Sequence, residues 1–131
     1  MAAAESYPDD LKYHREHDWA RVDGDEAVLG ITWFAQDALG ELVHFEAPAT
    51  GSSVRSGESY GEVESVKAVS EVIAPLSGEV LEVNQAVVDA PETVNEDPHG
   101  RGWLIRIRMT NLGEREQLLT GAEYRRALEN E

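Results

Sequence analysis

The feature that most limits the fold is the rhythm of short apolar runs between residues 19 and 109. "WARV" (19–22), "AVLGI" (27–31), "LVHFE" (42–46), "SYGEVES" (59–65), "AVSEVIA" (68–74), "GEVLEVN" (78–84) and "WLIRIRM" (103–109) span four to seven residues each and are rich in β-branched side chains. Glycine or proline punctuates most of the gaps, a pattern that suits strands better than helices. "VDGDE" (22–26) reads as a hairpin turn and "APLSGE" (74–79) as a Pro–Gly corner. Many short strands of this kind stack as a sandwich or a flattened barrel. Helical signals lie at the edges. Thr32 can cap 32–39, which Gly40 ends, and Pro91 suits the first turn of a short helix. Thr120 with Glu123 has the spacing of a capping box and opens a helix over about 120–130, whose Ala122, Tyr124 and Leu128 can face the sheet.

A chain of 131 residues with 41% hydrophobic and 28% charged residues fits one globular domain. We place that domain at 11–131, with 1–10 as a flexible lead-in, and expect a monomer. No apolar stretch nears the roughly 18 residues that a spanning helix needs. "MAAAESYPDD" has neither the basic and apolar regions of a secretory signal nor an Arg-rich presequence character, so a cytoplasmic location is expected. Without cysteine the chain cannot form disulfides, thiolate nucleophiles or cysteine-based metal sites. Any thiol chemistry must come from a cofactor. The net charge of −15 repels phosphate backbones and anionic membranes, but can steer the chain toward basic patches on protein partners. Ser56-Gly-Glu and Ser77-Gly-Glu, each leading into a valine-bearing strand, form a short internal echo.

Within "EVESVKAVSEV" (62–72) two strands meet at Val66-Lys67. Tight two-residue hairpins favour positive φ and therefore Gly or Asn, and a β-branched valine fits such a turn poorly. Something other than turn comfort selects these residues. The ordinary reading of Lys67 is a solvated charge that discourages edge pairing. Against it stands the usage: nine arginines and only two lysines, the other being Lys12. A lysine amine can lose its proton and be acylated to an amide, whereas a guanidinium stays charged. A modifying enzyme can reach a lysine projecting from a stiff hairpin.

"GEVESVKAVSEVIAPLSGEVLEVN" resembles the lipoyl-attachment segment of the glycine cleavage system H proteins, whose "ESVKA" carries the modified lysine. "HDWARV", "GITWFAQDALGELVHFEAP", "VNEDPHGRGWLIRI" and "AEYRRAL" resemble successive segments of the same family, so the likeness covers nearly all of the chain after residue 10. The resemblance implies a lipoyl-domain fold of the barrel-sandwich hybrid type, with lipoate joined covalently to Lys67. It also implies a non-catalytic shuttle. Glycine decarboxylase, a pyridoxal-phosphate enzyme, would load an aminomethyl group on the arm, a folate-dependent aminomethyltransferase would unload it, and dihydrolipoyl dehydrogenase would reoxidise the dithiol. A lipoate-attaching enzyme is a fourth partner. The lack of cysteine suits this role, because a local thiol could exchange with the arm's disulfide.

The family also holds the loaded arm against the protein, where a cationic amine favours a carboxylate. Asp18 stands where many relatives have glutamate, one methylene longer, and Glu71 matches an acidic position after the attachment site. Both are candidates for an arm pocket. Glu64 can mark the hairpin for the attaching enzyme or simply be a solvated carboxylate, while Ser65 and Ala68 shape the turn. Trp33 replaces an acidic residue of the family pattern, which either exposes an aromatic ring or alters the cleft.

The histidines read as structural: His14 and His17 as a surface pair lacking a third ligand, His44 as a sheet residue and His99 as a turn residue. A biotinyl carrier would flank its lysine with methionines, not Val66 and Ala68. A lipoyl domain of a 2-oxo acid dehydrogenase would lack the N-terminal segment and the C-terminal helix. A lipoate-relay or regulatory scaffold needs the same lysine and remains the alternative from a different class. No nucleophile, base and orienting group converge to suggest an independent enzyme.

Overall fold

The computed structural model describes residues 3–131. Nine strands, β1 (Lys12–His14), β2 (Asp18–Asp23), β3 (Glu26–Ile31), β4 (Leu42–Glu46), β5 (Ser53–Val54), β6 (Ser59–Ser65), β7 (Val69–Ile73), β8 (Gly78–Val83) and β9 (Ile105–Met109), form two sheets among these residues. One sheet has the order β1-β2-β3-β9-β8-β5, the other β4-β6-β7. All pairings are antiparallel, and the two sheets do not close into one barrel. The expected mainly β sandwich is therefore present. β1 and β5, at three and two residues, are too short to leave an alternating pattern in the sequence.

Between the sheets lie Leu29, Ile31, Phe45, Val63, Val72, Leu76, Val80, Ile105 and Ile107, all buried. The β2–β3 hairpin turns at Gly24, whose φ of 64° suits glycine, and Asp23 pairs with Glu26 across it. The two Ser-Gly-Glu segments meet, with the Ser56 amide donating to Ser77 Oγ at 2.9 Å.

Short helices fill the periphery. Thr32 Oγ1 caps α1 (Trp33–Leu39) by accepting from the Ala35 amide at 3.2 Å, and Gly40 ends it at φ 85°, ψ −164°, a conformation essentially reserved for glycine. The segment after β8 forms α2 (Gln85–Asp89), capped by Asn84, and α3 (Thr93–Glu96) follows Pro91. The expected strand at 78–84 thus ends at Val83, because the Asn84 side chain takes the Ala86 amide and starts a helix.

The C-terminal helix α4 (Gly121–Glu129) opens with both halves of the capping box: Glu123 Oε1 accepts from the Thr120 amide at 2.8 Å, and Thr120 Oγ1 from the Glu123 amide at 3.2 Å. Tyr124 is buried and Leu128 half-buried, but Ala122 is exposed, since the helix rests on a narrow strip centred on Tyr124.

Tyr7 is only 6% exposed, wedged edge-on against Tyr13 and Tyr124, and the Ala3 carbonyl accepts from Trp33 Nε1 at 2.8 Å. Tyr7 thus joins Leu11, Tyr13, Trp19 and Tyr124 in a second, aromatic cluster. Met1 and Ala2 lie outside the described residues.

Candidate functional site: the β6–β7 hairpin and its base

β6 and β7 pair with Glu64 opposite Val69 and run on to a tip where the Ser65 amide donates to the Ala68 carbonyl at 2.8 Å. His17 is the only non-glycine residue with positive φ among the described residues, so the tip does not adopt the mirror-image turn that favours Asn-Gly. Instead the buried Ser65 hydroxyl accepts from the amides of Lys67 (3.2 Å) and Ala68 (3.1 Å) and lies 3.3 Å from the Ala68 carbonyl, to which it donates. A side-chain oxygen thereby takes the amide that a backbone carbonyl would take in a tighter turn. Ser65 builds the turn, and Val66 and Lys67 are free to project.

Val66 is 74% exposed and Lys67 is exposed beside it. None of the ion pairs among the described residues engages Lys67. Its Cε lies 3.6 Å from where a Cβ on Gly40 would sit, so the lysine stem crosses the end of α1. Asn95 pins that end: its Nδ2 donates to the Gly40 carbonyl and to Gln36 Oε1, each at 2.9 Å, and its Oδ1 accepts from the Leu42 amide at 2.9 Å.

Val43 and Val69 stand exposed on the flanking strands, so three of the five large exposed apolar side chains among the described residues gather near this tip. Glu64 and Glu71 are exposed on the outer face of the β4-β6-β7 sheet, with Glu62 opposite Glu71. A projecting amine ringed by valines and carboxylates is open to acylation and to docking.

The base of the hairpin is closed and polar. Asp18, which begins β2, is only 2% exposed. Burial raises its carboxyl well above the usual range, partly offset by the Ile73 amide of β7, which hydrogen-bonds it, and Glu16 raises it further. Asp18 meets the Ile73 end of β7 from inside, whereas Glu71 lies exposed midway along the strand, and the structure gives no direct contact between them. Asp18 is held by a strained neighbour: His17 sits at φ 74°, costing about 1–3 kcal/mol. Its carbonyl accepts from the Thr32 amide at 3.1 Å, and the Tyr124 hydroxyl bridges His17 Nδ1 (2.7 Å) and Thr32 Oγ1 (2.9 Å). The C-terminal helix thus fixes the residue before the buried acid.

Trp33 is half-buried in the aromatic cluster, with its backbone amide donating to His99 Nε2 at 3.2 Å. It anchors the N-terminal segment rather than presenting an open ring. His99 is more than a turn residue, since desolvation lowers its imidazole to about 4 and keeps the accepting nitrogen unprotonated. Sequence reading missed Asn95, Tyr60 and the second role of Gly40. Only the helix stop at Gly40 left a local signal.

A family model described as "Glycine cleavage H-protein" matches residues 11–131. The chain is 49% identical over 124 residues to a glycine cleavage system H protein of Carboxydothermus hydrogenoformans, covering 95% of each chain. It is 54% identical to that of Rubrobacter xylanophilus, covering 95% of this chain and 96% of the relative. The crystal structure of a glycine cleavage system H protein from Mycobacterium marinum superposes with a TM-score of 0.83 at 46% identity, covering 94% of this chain and 98% of the other. Sequence and tertiary structure agree over almost the full length, and the chain belongs to the glycine cleavage H-protein family.

Proposed function

We propose that Lys67 is the residue to which lipoate is joined through an amide, and that the chain carries the aminomethyl group of glycine between separate enzymes. Membership of the H-protein family makes it a lipoyl carrier of glycine cleavage. On this reading glycine decarboxylase loads the arm, the aminomethyltransferase unloads it, and dihydrolipoyl dehydrogenase takes its electrons. A bound lipoyl group supplies the disulfide and dithiol chemistry that a chain without cysteine lacks.

The observation that carries the proposal is Lys67 itself, a primary amine projecting from a turn that the Ser65 hydroxyl locks. The residues fit such a group. The amine is exposed for acylation, and the turn holds it away from the sheets. Exposed Val43, Val66 and Val69 give a partner an apolar grip, while Glu64 offers a charge to the attaching enzyme. Asp18 at the base of the hairpin and Glu71 midway along β7 are the acids we assign to the loaded arm's amine.

Lys67→Arg tests the attachment: it should fold normally and show no added mass after incubation with a lipoate-attaching enzyme, and a retained mass shift would place the site elsewhere. Reconstitution with the three partner enzymes tests the shuttle. Failure of the lipoylated protein to support glycine decarboxylation would favour a lipoate-relay scaffold.

A further inference from the structure

Among the described residues, two buried side-chain oxygens have no hydrogen-bond partner: Asp18 Oδ1 and Tyr60 Oη. Native interiors leave few such atoms, and each calls for a physical reason. These two are neighbours. The Ile73 amide reaches Asp18, Ile73 pairs with Ser59, and Tyr60 follows Ser59 and feels the Asp18 charge. Plain alternation along β6 would turn Tyr60 outward with Glu62 and Glu64, but a register shift between Ser59 and Gly61 turns it in, to 7% exposure. A phenylalanine would fill the same apolar space without the orphaned hydroxyl.

What the pair lacks defines what fits it. Among the described residues, no arginine or lysine is among the groups that act on the Asp18 carboxyl. A carboxylate accepts hydrogen bonds, and a phenol oxygen can accept one too. A small primary ammonium can donate to both and neutralise the acid, whereas an apolar group can do neither.

We propose that Tyr60 is the second hydrogen-bonding partner, beside Asp18, of the primary amine on the aminomethyl-loaded arm. The proposal rests on the shuttle reading above. Both side chains are buried, so an amine seated between them is shielded from the water that would hydrolyse it.

The test uses lipoylated wild type, Tyr60→Phe and Asp18→Asn, each loaded by glycine decarboxylase and glycine. Two quantities are read: the unassisted rate of ammonia release, and the melting temperature before and after loading. Tyr60→Phe should melt at or above wild type when unloaded, yet release ammonia about tenfold faster and gain less stability on loading, as expected for a lost hydrogen bond to a charged group. If Tyr60→Phe matches wild type in both while Asp18→Asn loses both, the Tyr60 assignment fails and the Asp18 seat stands. If neither variant differs from wild type, the seat itself fails and this proposal with it. An equal melting shift in loaded and unloaded Tyr60→Phe would mean the hydroxyl only holds a structural water, and would overturn the assignment. Independently of any variant, the Tyr60 ring resonances of the wild-type protein should move on loading, and unmoved resonances would also overturn it.

Discussion

Replacing Ser65 by alanine removes one oxygen from the turn that presents Lys67. That oxygen accepts from two amides, Lys67 at 3.2 Å and Ala68 at 3.1 Å, and donates to the Ala68 carbonyl at 3.3 Å. Lys67 and Ala68 are exposed, so their freed amides can turn to water. The loss should resemble that of a helix N-cap, about 1 kcal/mol, and not the larger penalty of a sealed orphan. For a chain of this size it corresponds to roughly 3–5 °C in melting temperature and to about fivefold faster exchange at those two amides. The Ser65 amide still reaches the Ala68 carbonyl at 2.8 Å, so the hairpin itself survives. Amide exchange by NMR should show the change confined to residues 66–68, and an intact-mass time course should show slower lipoate attachment, because the attaching enzyme must first order the loosened tip. Unchanged exchange at Lys67 and Ala68, with an unchanged melting temperature, would refute the argument that the hydroxyl holds the turn.

Gly30→Ala should destabilise by about 1–3 kcal/mol, the usual cost of overpacking, because a Cβ there would sit 2.5–2.7 Å from the fully buried Trp19 indole; the denaturant midpoint measures it. His99 binds its proton less readily folded than unfolded, so its contribution to stability is present near neutrality and declines as pH falls from 6.5 toward about 4. His99→Gln, which can still accept the Trp33 amide, should lose that slope in pH-dependent melting. Asp18 has the opposite sign: its raised carboxyl favours the folded state when protonated, so its contribution is full below the usual value of 3.8 and is lost as pH rises through the raised one. Asp18→Asn should therefore be more stable than wild type at pH 7 by more than at pH 3.5, in urea unfolding at the two pH values.

Local chemistry wrote much of this protein directly into its sequence. Turn residues and β-branched runs placed seven of the nine strands, and the Thr120–Glu123 box started the last helix, because each depends on neighbours within a few residues. Lys67 stood out as a candidate for the same reason: an amine that can be acylated sits at a tip whose residues do not favour a tight turn. What alternation could not reveal was Tyr60, since one extra residue of register between Ser59 and Gly61 reverses which face it occupies, and that shift is decided by how β6 and β7 pair and pack, not by residue type along the strand. Nor could it show that Asp18 is buried: the start of β2 meets Ile73 of β7, more than fifty residues away in sequence, and burial is a property of the packed sheets. Gly40 shows both sides, since its positive φ follows from its place after a helix, whereas the lysine stem crossing it exists only once α1 and the hairpin lie side by side. Residue type and spacing decided the candidate groups, and long-range packing decided which are exposed to partners and which face one another in the dark of the core.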